Sequence, residues 1–128
     1  MVGGVPDVAA RPEAEFVLTV VDVDPLRATI RASGELDLAA RAPLAELLQQ
    51  QQTAGRRVIR LDLSEATFLD CSCVGVLVAA HRRCLELQGL LVLTDLHACA
   101  ARILRVTGLD DSLFIEPAGR RPLQPLAS

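Results

Sequence analysis

Leu61 to Gly89 reads LDLSEATFLDCSCVGVLVAAHRRCLELQG, and the placement of every other element follows from it. Val74, Leu77, Val78, His81, Cys84 and Leu85 are spaced by threes and fours, which puts them on one stripe and predicts a helix that begins just after Asp70. Asp70 suits the N-cap, because a carboxylate there accepts backbone N–H bonds at the positive end of the helix dipole. Gly89 suits the C-cap. Upstream, the pattern predicts a buried strand ending near Leu63 and a connection through Thr67 and Phe68. The loop Leu69-Asp70-Cys71-Ser72-Cys73 therefore presents small polar side chains at a helix N-terminus. That arrangement suits anion binding or phosphorylation, and it equally suits ordinary capping.

Working outward, Val58 to Leu63 is an apolar run broken by Arg60 and Asp62, as in a central strand. Before it, Leu44, Leu47, Leu48 and Gln51 mark the inner face of a helix from about Ala40 to Gln52, with Pro43 tolerated in the first turn. Glu15 to Val23 alternates with Phe16, Leu18 and Val20 on one side, and Leu26 to Ser33 alternates with Leu26, Ala28, Ile30 and Ala32. Asp24-Pro25 joins these two runs as a hairpin turn, and Gly34-Glu35-Leu36-Asp37 closes the second strand. After Gly89, Leu90 to Thr94 is a short buried strand and Ala98 to Thr107 a helix with Ala100, Ile103, Leu104 and Thr107 inward. Leu113 to Ile115 forms a last edge strand. The order is β-β-α-β-α-β-α-β, an α/β domain in which helices after the opening hairpin imply parallel strand pairs.

Residues 1–14 and 117–128 are rich in Gly, Pro and Ala or in Pro, without any period, and read as flexible tails around one domain at 15–116. The chain has 128 residues, half of them hydrophobic and only three aromatic, so its core is built from Leu, Val, Ile and Ala. All 13 basic residues are Arg. A net charge of −3 with no basic stripe argues against a nucleic-acid partner. No apolar run approaches the roughly 20 residues that cross a bilayer, and no signal pattern opens the chain, so a cytoplasmic protein without membrane insertion is expected. Nothing in the pattern sets an oligomeric state.

Cys71, Cys73, Cys84 and Cys99 are expected to be thiols, since C-x-C without a second pair is not a zinc spacing. His81 and His97 stand apart from any ligand pattern and read as structural. Without a Gly-rich phosphate loop, a nucleophile–base pair or a metal constellation, the chain is expected to be neither an enzyme nor a holder of metal or cofactor.

Three blocks, GELDLA at Gly34–Ala39, VIRLDLSEATFLDCSCVGVLVAAHRRCLELQG at Val58–Gly89 and RILRVTGLDDSLF at Arg102–Phe114, resemble the STAS domain of bacterial anti-sigma factor antagonists in order and spacing. The resemblance covers roughly Phe16 to Ile115. It implies a mixed sheet with helices mainly on one face and the signature loop exposed at the start of the second helix. It also implies a regulator of transcription that binds an anti-sigma factor of the serine protein kinase type and so frees a sigma factor. The residues it assigns to partner binding are Asp37, Asp70, Cys71, Ser72, Cys73 and Val74.

In that family the residue after the loop Asp is a Ser that the partner phosphorylates, and the added charge of about −2 releases the antagonist. Here Cys71 holds the acceptor position, Ser72 the following Ser/Thr position and Cys73 the position of a Gly. Three consequences stay open: phosphorylation shifted to Ser72, a constitutive binder that does not switch, or a Cys71 thiol activated by the helix N-terminus that senses oxidant. The alternative function is an accessory STAS subunit of a lipid-transport ABC system or of a larger signalling complex.

Overall fold

The computed structural model describes residues 16–108 and 113–116; the two segments read as tails, Glu15 and part of the third sequence block lie outside them. The chain forms β1 (Phe16–Val23), β2 (Arg27–Leu36), a 3-10 turn (Leu38–Ala40), α1 (Arg41–Thr53), β3 (Val58–Leu69), α2 (Cys71–Glu86), β4 (Leu90–Thr94), α3 (Ala98–Thr107) and β5 (Phe114–Ile115). The element order is the expected one, with the 3-10 turn added. The strands lie in one sheet in sequence order. β1 is antiparallel to β2, and the remaining neighbours are parallel, joined by α1, α2 and α3.

The hairpin turn forms because the Asp24 carboxylate accepts N–H bonds from Leu26 and Arg27, each at 2.9 Å, and so folds the chain back on itself. Leu26 thereby belongs to the turn and is exposed, contrary to its predicted place in the second strand. Alternation then sorts the faces. Ala28 and Ile30 of β2 pair in register with Ile59 and Leu61 of β3, which pair with Leu91 and Leu93 of β4, and all six are buried. Leu44, Leu48, Leu77 and Leu104 from the helices complete this aliphatic layer, so the helices pack mainly on one face.

Four expected positions differ. β3 does not end near Leu63 but continues to Leu69, and its later buried residues, Ala66 and Leu69, fall at steps of three instead of two. Irregular pairing with β2 between Arg31 and Ser33 and between Gly34 and Glu35 absorbs the change of step. On α1 the buried glutamine is Gln52, with Gln51 only half-buried, and on α2 Leu85 is 51% exposed while Cys73 takes an inner position. Thr107 of α3 is likewise exposed, its hydroxyl bonded back to the Ile103 carbonyl at 2.8 Å.

The other face of the sheet carries charge. Arg31 and Asp62, paired in register, form an ion pair at 3.2 Å. Burial works against the Asp62 carboxylate, yet the donors from Ser64 and Arg31 together outweigh it and hold its pKa below the ordinary value. Further along this face, Arg60 Nη1 donates to Glu116 Oε1 at 2.8 Å, while the Glu116 N–H donates to the Leu93 carbonyl at the same distance. Glu116 is buried, so these contacts pin the short edge strand to β4. Arg60→Ala is expected to cost about 2 kcal/mol in urea denaturation, the usual scale for a partly buried charged hydrogen bond. Faster hydrogen exchange at Glu116 should accompany it, and an unchanged exchange rate would show that β5 is held by other contacts.

Candidate functional site

The site is built by the ends of two parallel strands. Leu36 ends β2, Leu69 ends β3, and the two are register partners, so the residues that follow them, Asp37 and Asp70, leave the sheet side by side. A bond from the Asp70 N–H to the Leu36 carbonyl at 2.9 Å fixes this crossing point. Each aspartate then caps a helical segment: Asp37 accepts from the Ala39 N–H at 3.0 Å, and Asp70 from the Ser72 N–H at 2.6 Å. The expected N-cap role of Asp70 is thus present, at the carboxyl ends of parallel strands where α/β folds commonly place their sites.

Within the loop the three small residues divide their work. Cys71 is exposed at the first turn of α2. Ser72 is half-buried and its hydroxyl donates to the Asp70 carboxylate at 2.7 Å. That bond, followed by the backbone bond from the same residue, holds the Asp70 pKa below the ordinary value, so the loop carries a full negative charge near neutral pH. Cys73 turns inward, is 0% exposed, and its thiol donates to the Asp37 carbonyl at 3.3 Å. Burial first, and then the nearby charges of Asp70 and Asp37, push its pKa up to about 11. It is therefore a neutral thiol that ties the two caps together.

Val74, 1% exposed, belongs to the core. Of the six residues expected to meet a partner, Asp37, Asp70, Cys71 and Ser72 reach the surface, and Cys73 and Val74 support them from beneath. Two residues absent from the sequence-based set flank the loop: Leu38, directly after Asp37 and 65% exposed, and Phe68, two residues before Asp70 and 44% exposed. Large apolar groups beside charged caps are what a protein interface presents. A signal for Phe68 is present in the sequence, since the alternation of Ile59, Leu61 and Leu63 carried on by twos reaches Leu69 and puts position 68 on the opposite face.

Among the described residues no group of His, Cys, Asp and Glu is arranged to hold a metal ion, and no helix is long and apolar enough to cross a membrane. Cys71, Cys73 and Cys84 are free; the Cys99 side chain lies outside what is described. Alkylation by iodoacetamide at pH 8 is expected to reach Cys71 at least about tenfold faster than Cys73 or Cys84, followed by peptide mapping. Equal rates would mean that the loop opens freely. Between pH 9.0 and about 11 the unfolded chain ionises at Cys73 while the folded one does not. Stability should accordingly fall as pH rises through that window, and Cys73→Ala should remove that part of the fall.

The sheet order, the paired caps and the exposed loop at the start of α2 define a small α/β recognition domain, and comparison with known proteins places it. A family model described as "Mlab, STAS domain" matches residues 19–117, and the chain belongs to the STAS-domain family. It is 32% identical over 87 residues to the anti-sigma-B factor antagonist of Listeria monocytogenes, covering 68% of this chain and 76% of that protein. Its fold is similar to that of an anti-sigma factor antagonist from Mycobacterium paratuberculosis, with a TM-score of 0.72 at 21% identity over 86% of this chain and 92% of the other. The unphosphorylated form of the antagonist SpoIIAA gives 0.68 at 19% identity, covering 78% and 88%.

Proposed function

We propose that this protein is an anti-sigma factor antagonist: a non-catalytic, cytoplasmic regulator of transcription that binds an anti-sigma factor of the serine-kinase type and so releases a sigma factor. The similarity to the Listeria antagonist supports the class. Residues 15–116 form the working unit, and the docking surface is Asp37, Leu38, Phe68, Asp70, Cys71 and Ser72.

The observation that carries the reading is the exposed Cys71 seated between Asp70 and Ser72 at the start of α2. A thiol there keeps the size and shape of the serine that the family phosphorylates while removing the hydroxyl. The neighbouring hydroxyl of Ser72 is spent on Asp70, where a phosphate of about −2 charge would face a carboxylate at hydrogen-bond distance. This antagonist therefore binds its partner without being released by phosphorylation.

The test is capture of tagged protein from lysate of its own host, with partners and modifications read in one mass-spectrometry run. An anti-sigma kinase recovered with protein unmodified at residues 71 and 72 is the expected result. Phosphate on Ser72 would show a switch moved by one residue. Recovery of lipid-transporter subunits, or of no kinase, would favour the accessory-subunit reading.

A further inference from the structure

A cleft of about 190 Å³ runs between α1 and α2, away from the loop. Ala45, Leu48 and Gln52 line it from α1, and Val76, Ala80 and Arg83 from α2. Spacings of three and four make each set a single stripe along its helix, and alanines at facing positions are too small to fill the gap between them. Both helices connect parallel strands of one sheet, so they run in the same direction. The Gln52 side-chain amide donates to the Ala80 carbonyl at 3.0 Å and to the Cys84 thiol at 3.3 Å, which sets the C-terminal halves level. The cleft is consequently apolar toward Ala45 and Val76 and polar toward Gln52 and Arg83.

Gln52 is 6% exposed and closes the floor beneath the polar end, while Arg83 makes no ion pair among the described residues. An apolar trough ending in an unpaired guanidinium fits a molecule with a hydrocarbon chain and one anionic head. At about 30 Å³ for each heavy atom, the volume holds about six of them, enough for a six-carbon chain whose two carboxylate oxygens lie outside it, at the open end where Arg83 is exposed. We propose that this cleft binds a short straight-chain monocarboxylate of about six carbons. Its carboxylate lies on Arg83, and its chain runs past Ala80 and Leu48 toward Ala45 and Val76.

Titration of the full chain with sodium acetate, butyrate, hexanoate and decanoate, followed by calorimetry, tests this without any partner present. Affinity should rise roughly fourfold for each added methylene and level off near six carbons. Arg83→Gln should weaken hexanoate about tenfold or more, while Arg82→Gln, one residue away and equally exposed but outside the cleft lining, leaves it unchanged. Ala45→Leu, which fills the apolar end, should remove hexanoate binding with the melting temperature retained. Affinity that does not depend on chain length, equal binding of hexylammonium, or the same loss in both arginine variants would overturn the proposal. So would binding to anionic phospholipid vesicles in the absence of hexanoate binding.

Discussion

Asp70→Lys is expected to reduce affinity for the anti-sigma partner by on the order of a hundredfold or more, while the protein stays folded. Two effects of the substitution must be separated. Asp70 caps α2 by accepting the Ser72 N–H and hydroxyl at 2.6 and 2.7 Å, so lysine removes the cap and places a positive charge on the positive end of the helix. That loss is local, because Val74, Leu77 and Cys84 keep α2 buried, and it should lower the melting temperature by only a few degrees. The larger effect falls on binding, where the charge at the centre of the proposed surface is inverted and would face the groups that now complement it. Asp70→Asn distinguishes the two, since asparagine caps as well as aspartate but carries no charge. Binding lost in Asn and Lys alike identifies charge as the requirement. Affinity unchanged in Asp70→Lys would remove the loop from the interface altogether. Because hydrogen bonds hold the Asp70 pKa low, the capped state persists on acidification and is lost only as pH falls through that depressed value.

The sequence made parts of this site visible and hid others for definite reasons. Asp70 could be read as a cap because the stripe from Val74 to Cys84 starts just after it, and the hairpin could be read because Phe16, Leu18, Ala28 and Ile30 alternate without interruption. Periodicity does not bring Asp37 beside Asp70; only the family resemblance assigns the two to one surface. Their adjacency depends on β3 running on to Leu69, and its buried positions after Leu63 move in threes, a step that mimics neither a regular strand nor a turn. Only the irregular pairing against β2 makes that spacing compatible with a strand. The burial of Cys73 is hidden for a related reason: a thiol in a loop reads as a small polar residue in sequence, yet here it is a buried hydrophobe whose donor reaches the Asp37 carbonyl. At Gln51 and Gln52 identical side chains left periodicity alone to choose the inner one. Packing against α2 chose Gln52, whose amide meets Ala80 and Cys84.

Gly89→Ala is expected to destabilise the protein by at least about 4 kcal/mol, a large share of the roughly 5–15 kcal/mol that holds a domain of this size. The reason is not the one periodicity suggests. The left-handed residue that ends α2 is Gln88, at φ 65, and the N–H groups of Gln88 and Gly89 return to the carbonyls of Leu85 and Cys84 in a Schellman arrangement. What Gly89 supplies is room, because a β-carbon there would run into the backbone carbonyl of Arg57. That carbonyl cannot give way cheaply. It accepts the Leu90 N–H at 2.7 Å, and the N–H groups of Arg57 and Val58 are held by the Leu26 carbonyl at 2.7 and 3.0 Å. The starts of β2, β3 and β4 are thus locked together around one glycine, and relieving the clash means breaking the bonds that begin the central parallel pairs. Gly75 provides the opposite case within α2: a β-carbon there meets nothing within 4 Å, so Gly75→Ala should stabilise by about 0.5–1 kcal/mol. Urea denaturation of the two variants should therefore move in opposite directions. If Gly89→Ala instead fell within about 1 kcal/mol of the parent, the start of β3 would have to slide freely against β4, and the same freedom would loosen the register that sets Asp37 beside Asp70 at the other end of the strand.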